Sequence, residues 1–185
     1  MARVVRKPGP GAEKLRVALE ALDGKVGKVG WFETAKYPDG TRAAYVAAIH
    51  EYGYKSIPPR LGMRETADAK RKEWAGVAKQ GAKEILAGRA TAGTVMEMIG
   101  LAAFGDMYKR ISTVQSPPLS QVTIELRRQR RANPEMKVTG RSVGEAVKAS
   151  QSAFFTPGDT SAPENKPLVD TGYLLVTLTH VVEDS

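Results

Sequence analysis

Four groups of residues have types and spacings that could do chemistry. Leu168-Val-Asp-Thr-Gly172 has the hydrophobic-hydrophobic-Asp-Thr-Gly pattern of an aspartic-protease loop. Such an aspartate must sit in a β-barrel built largely from residues that follow it, and the chain ends at Ser185. The simpler role for Asp170 is to cap a helix, its carboxylate accepting the unpaired N–H groups of the first turn. His50-Glu51 and His180 are the histidine sites. A metal centre usually needs three or four ligands at set spacing, and His-Glu alone supplies no H-E-x-x-H arrangement. His50 instead falls beside a helix end, where a charge or donor suits the terminal carbonyls. Gly93, Gly100 and Gly105 are not followed by Lys-Ser or Lys-Thr, so no phosphate loop is expected. No Gly-x-Ser-x-Gly nucleophile motif is present, and no cofactor is expected.

The fourth group is Arg127, Arg128, Arg130 and Arg131. At 3.6 residues per turn these side chains fan over most of one helix end. Two readings fit them equally. One is a phosphate-facing surface, sequence-independent and salt-sensitive. The other is a solvated helix C-terminus, where the macrodipole favours cations. No aromatic is interleaved, which argues against base stacking of the single-strand kind.

The bulk composition frames these residues. A chain of 185 residues with 42% hydrophobic content supports one domain and a core. Only 6% is aromatic, so that core is largely Ala, Val, Leu and Ile. The absence of cysteine removes disulfides, thiolate metal sites and cysteine nucleophiles. The N-terminal residues are basic but lead into no apolar stretch, so no secretory signal is expected. Met98 to Phe104 is far short of the roughly 20 apolar residues a bilayer span needs, so no membrane is expected. The net charge of +8 fits either a solubilising surface or one that faces nucleic acid or an acidic partner.

The elements that must position these residues follow from periodicity and punctuation. Residues 1–11, rich in Pro and Gly, read as a flexible arm ahead of a single domain over 12–185. Leu15, Ala18, Leu19 and Leu22 predict a helix ended by Gly24. Residues 25–32 predict a strand, and Tyr37-Pro-Asp-Gly40 a turn. Thr41 is placed to cap a helix through Tyr52, with Tyr45, Ala48, Ile49 and Tyr52 on one face and Gly53 at its stop. Ile57-Pro-Pro-Arg60 is a rigid corner. Two helices over 61–87 and 94–111 form an antiparallel hairpin, the first with a Trp74, Val77, Ala78, Gly81 and Ile85 stripe. Thr94 and Glu97 have capping-box spacing for the second. Ser116-Pro-Pro-Leu-Ser120 is another corner, leading into a helix over 119–131 with Leu119, Val122 and Leu126 on one side. Residues 132–166 read as a long loop or insertion with a short helix somewhere in 144–155. Asp170 and Thr171 cap a turn, and residues 176–183 alternate as a strand that partners 25–32. The expected class is α+β, a small antiparallel sheet packed with several helices including the long hairpin.

Two segments stand out as structural joints rather than reactive sites. One is Tyr45-Val-Ala-Ala-Ile-His-Glu-Tyr-Gly53 followed by Ile57-Pro58-Pro59-Arg60, with His50, Glu51, Tyr52 and Gly53 at its helix end. The other is Lys166-Pro-Leu-Val-Asp-Thr-Gly172, carrying Asp170, Thr171 and Gly172. With the two helices and Ser116-Pro-Pro-Leu119 between them, the order resembles the neck and tail-completion proteins of long-tailed bacteriophages. Many members continue the first corner with Pro-Phe, where this chain has Leu61-Gly62-Met63. The resemblance implies a non-enzymatic structural protein of the virion head–tail junction, also called a minor tail or head–tail joining protein. It implies a homo-oligomeric ring, commonly six-fold, around the DNA channel, assembled in the host cytoplasm. The implied partners are the portal or connector and the tail-tube or tail-terminator proteins, with non-specific contact to DNA. The alternative is a basic nucleic-acid-binding protein that uses Arg127–Arg131.

Overall fold

A computed structural model describes residues 9–152, 156, 158–159, 162 and 165–185. In chain order it contains α1 (Pro10–Asp23), β1 (Lys25–Gly30), α2 (Ala43–Tyr52), α3 (Met63–Leu86), α4 (Ala92–Thr113), α5 (Gln121–Ala132), α6 (Gly140–Ser150), α7 (Tyr173–Val176) and β2 (Thr179–Asp184). The class is α+β, as the sequence predicts. The chain divides into two compact units, one of residues 1–31, 64–107 and 178–185, the other of residues 32–63 and 108–177.

The first unit holds the sheet and the helical hairpin. β1 and β2 pair antiparallel, from Lys25 opposite Asp184 to Gly30 opposite Thr179. The strand predicted over 25–32 stops at Gly30, and the one predicted from 176 begins at Thr179. Both shortenings have one cause. Continuing the register would place Thr177 opposite Phe32, but Thr177 ends α7 in a helical conformation, φ −97° and ψ −3°, so the ladder stops short of it. The sheet meets α4 where side chains are small. A Cβ on Gly27 would touch Met96, and a Cβ on Gly100 would lie 2.8 Å from the His180 ring. His180 Nε2 pairs with Glu97 Oε2 at 3.0 Å, and its ring lies 6.1 Å from that of Phe104.

The hairpin packs closely through the predicted stripe of α3. Gly81 is buried, and a Cβ there would come within 2.3 Å of Val95 Cγ1. Trp74 Nε1 donates to Asp106 Oδ2 at 2.8 Å. The order of these two contacts along α3 and α4 is antiparallel. The expected cap at Thr94 is displaced by one helical turn. Thr91 Oγ1 accepts from the Thr94 N–H at 3.2 Å, which leaves Glu97 to His180. On α1 only part of the apolar stripe is covered. Ala18 is buried, while Leu15 and Leu19 are exposed. Pro10 occupies the first turn of α1, where its missing N–H costs nothing, so the helix starts inside the predicted arm. The rest of that arm, residues 1–8, lies outside the described residues.

The second unit is built from short helices and corners. The core of α2 is not the predicted aromatic face. Ala43, Ala47 and Glu51 are buried, whereas Tyr45 and Tyr52 are exposed. The period is helical as expected, but the alanines allow close approach and the tyrosines do not. Thr41 does not cap α2. Arg42 takes that position without a side-chain bond, and the Thr41 N–H is held by Asp39 Oδ1 at 2.9 Å. In α5 the buried residues are Ile124, Glu125 and Arg127, with Ser120 as the cap, while Leu119, Val122 and Leu126 are half-buried. Within 132–166 the chain forms α6, opened by a reciprocal capping box between Thr139 and Ser142. Its Ala146 is fully buried, and the helix packs against α5. Among the described residues, no helix is long and apolar enough to cross a membrane.

Candidate functional site

The two joint segments, more than a hundred positions apart in sequence, come together in the second unit around one cleft of about 690 Å³. Its lining includes His50, Ile57, Pro58 and Arg60 from the first segment and Pro167, Leu168 and Asp170 from the second.

The first segment folds back on the end of α2. Gly53 adopts φ +79°, and a Cβ there would press on Ile57 O and Pro59 Cδ, both at 3.1 Å. Tyr54 and Ile57 then exchange two backbone hydrogen bonds of 2.9 and 2.8 Å, closing a tight turn. Pro58 and Pro59 stiffen the return. The carbonyl of His50 accepts both the Arg60 and Leu61 N–H groups, at 2.7 and 3.0 Å. Buried Glu51 reaches past them, and its Oε2 accepts the Met63 N–H at 2.8 Å. That N–H is among the unpaired donors of the first turn of α3, so Glu51 caps a helix to which it does not belong. Gly62, at φ +70°, leaves room for Arg110, whose Nε would lie 2.5 Å from a Cβ there.

Arg60 joins the two proline corners. Its Nε donates to Pro117 O at 2.7 Å and its Nη2 to Pro118 O at 2.9 Å. The guanidinium is half-buried, its only bonds among the described residues are to these neutral carbonyls, and burial pulls its pKa down.

The second segment is held by α5. Arg127 is buried, donates from Nη1 to Lys166 O at 2.9 Å, and places Nε 3.4 Å from Asp170 Oδ1. Arg130 Nη1 lies 3.2 Å from Asp170 Oδ2. Both carboxylate oxygens of Asp170 are therefore engaged, one by each arginine. This overturns its expected role as a cap. Gly172, with φ +67°, takes the position before α7, and only Thr171 contributes, its Oγ1 accepting the Tyr173 N–H at 3.3 Å. The Tyr173 hydroxyl donates to Lys36 O, and its ring lies 4.3 Å from that of Tyr37. Pro167 is fully buried and Leu168 is held at φ 67°.

His50 lies in the last turn of α2, beside the helix end as expected. Burial is the main cause that lowers its pKa, and the Arg60 and Arg127 charges add to it, so the neutral ring is favoured. Its Nδ1 is buried and makes no hydrogen bond. Tyr52, the neighbouring motif residue, points outward and is exposed.

The arginine cluster thus splits. Arg127 and Arg130 hold Asp170, while Arg128 is 70% exposed beside Glu125 at 2.8 Å and Arg131 is exposed. Among the described residues, no group of three or more histidine, aspartate or glutamate side chains could hold a metal ion. Sequence reasoning found the joint segments but missed their partners. The Pro117 and Pro118 carbonyls had one available signal, a second proline pair able to accept an arginine fork. The Glu51 to Met63 bond had none. Compared with known family models, curated proteins and solved structures, the chain matches none.

Proposed function

We propose that this chain is a non-enzymatic structural subunit of the head–tail junction of a long-tailed bacteriophage, a neck or tail-completion protein that assembles as a ring around the DNA channel. One observation carries the reading: the two segments that bear the resemblance are bonded into a single set of joints. His50 and Glu51 hold the returning Arg60–Met63 chain, Arg60 holds the Pro117–Pro118 corner, and Arg127 holds Lys166 and Asp170. The Glu51, Arg60 and Arg127 side chains fix backbone, as a subunit of a rigid assembly requires. The partners in this reading are copies of the same chain, the portal or connector, and the tail-tube or tail-terminator proteins. Its location is the virion neck after assembly in the bacterial cytoplasm. A phage that lacks the gene should yield filled heads and separate tails. Normal joined virions from that deletion would overturn the reading.

A second reading, a basic nucleic-acid-binding protein, rests on the exposure of Arg128, Arg130 and Arg131 at the end of α5. It requires duplex or single-strand affinity that falls steeply with salt. Replacing these three arginines by glutamine should abolish that binding, and retained binding would remove the cluster from consideration.

A further inference from the structure

We infer that the cleft between the two joint segments is a docking site for an extended, carboxylate-bearing peptide segment of a partner protein. The inference holds whether or not the chain forms a ring. Two unrelated features of the lining point to a missing acidic group. The half-buried Arg60 guanidinium bonds to two neutral carbonyls and, among the described residues, to no carboxylate. His50 lines the same cleft, and its enclosed Nδ1 has no hydrogen-bond partner among the described residues. Buried polar groups are nearly always paired, and a paired guanidinium normally takes a carboxylate in a two-pronged contact.

The remaining lining selects the class of ligand. Ile57, Pro58, Leu119 and Leu174 give apolar walls, and Ser56 and Thr123 add hydroxyls. That mixture of apolar wall and few polar groups is typical of ligand clefts, which hold roughly 300–1,000 Å³. The lining sets Arg60, Arg127 and Arg130 against two carboxylates, Asp170 held by the latter two and Asp39 bonded to the Thr41 N–H, which leaves one positive charge in excess. A carboxylate between apolar side chains meets it. A phosphate on a nucleic-acid backbone brings no apolar surface, and its usual receptors gather several cations.

The test uses the full chain and two probes, acetyl-Pro-Leu-Glu-Leu-Pro-amide and the same peptide with Gln in place of Glu. Binding is followed by backbone amide shifts and by the His50 ring resonances. The Glu peptide should bind about tenfold more tightly than the Gln peptide, the ratio expected for one charge-assisted hydrogen bond. It should also shift His50 and the Arg60 side chain. Arg60→Gln would loosen the proline corners as well, so the informative variant is Ser56→Trp, on the exposed rim. It should block the peptide while leaving the circular dichroism and melting curve unchanged. Equal affinity for both peptides, or unchanged Glu-peptide binding in Ser56→Trp, would overturn the inference. So would inorganic phosphate that shifts His50 and Arg60 at lower concentration than the Glu peptide.

Discussion

At Gly81 the first unit closes by leaving out a side chain. At Arg127 the second unit closes by burying one. The hairpin and sheet meet through positions where any Cβ would collide, Gly81 on Val95 and Gly100 on His180. Their charged groups lie outside, as in the cross-strand pairs of Lys25 with Asp184 and Lys28 with Glu183. The second unit instead ties its corners with long polar side chains that reach backbone groups: Glu51 to Met63, Arg60 to Pro117 and Pro118, and Arg127 to Lys166. The difference teaches how a glycine- and alanine-rich chain gains definition. Close helix approach suffices where elements are long. Where they are short and broken by prolines, directed hydrogen bonds set the geometry.

The contrast breaks most visibly at Arg127. Arg127→Met leaves Asp170 and the Lys166 carbonyl without their buried donor and should cost about 3 kcal/mol in urea unfolding. Arg128→Met, one position on but exposed, should change stability by less than about 0.5 kcal/mol. Equal effects would mean that the cluster acts as one surface. In the hairpin, Gly81→Val should cost about 2 kcal/mol through overpacking against Val95. Gly76→Ala, on the same helix but with open space around it, should stabilise by about 0.5–1 kcal/mol. Glu51→Ala removes the cap of α3 and should cost about 1 kcal/mol, with amide exchange of Met63 and Arg64 accelerated before that of the rest of the helix.

The smallest effect is a pH dependence confined to the second unit. The His50 pKa is lowered in the folded chain, while in the unfolded chain it is near 6.5. Above about pH 6.5 both states are neutral and stability is unaffected. As pH falls from about 6.5 towards the folded-state value, the unfolded chain binds the proton first and stability declines. His50→Gln should flatten that decline. The carboxylates whose pKa values are lowered, Glu13, Asp39 and Glu84, act in a more acidic window, because their ordinary values lie near 4.

The readability of the chain follows the same division. The hairpin, the sheet and the α+β class were legible because their signals are local and repeated. Trp74, Val77, Ala78, Gly81 and Ile85 recur at helical spacing, and the half-buried strand alternates. The second unit was legible only as punctuation. Prolines and glycines marked its corners, yet no local pattern says that Arg127 turns inward to a carboxylate at position 170. Asp170 was read as a cap because its nearest neighbours offered that role, and the distant arginines supplied a stronger one. On α2 the larger tyrosines suggested the core face, while the smaller alanines determined it. For α6, the short helix expected within 144–155 starts earlier, at Gly140, because Thr139 and Ser142 cap it there and α5 covers it.

The central claim, that this chain is a ring subunit of a phage neck, is tested most directly by mass and shape. Light scattering and negative-stain microscopy of the purified protein, alone and with phage tails, provide both. The account predicts a ring, or a monomer that joins a ring at the tail end. A protein that stays monomeric, ignores tails and binds DNA at moderate salt would contradict it.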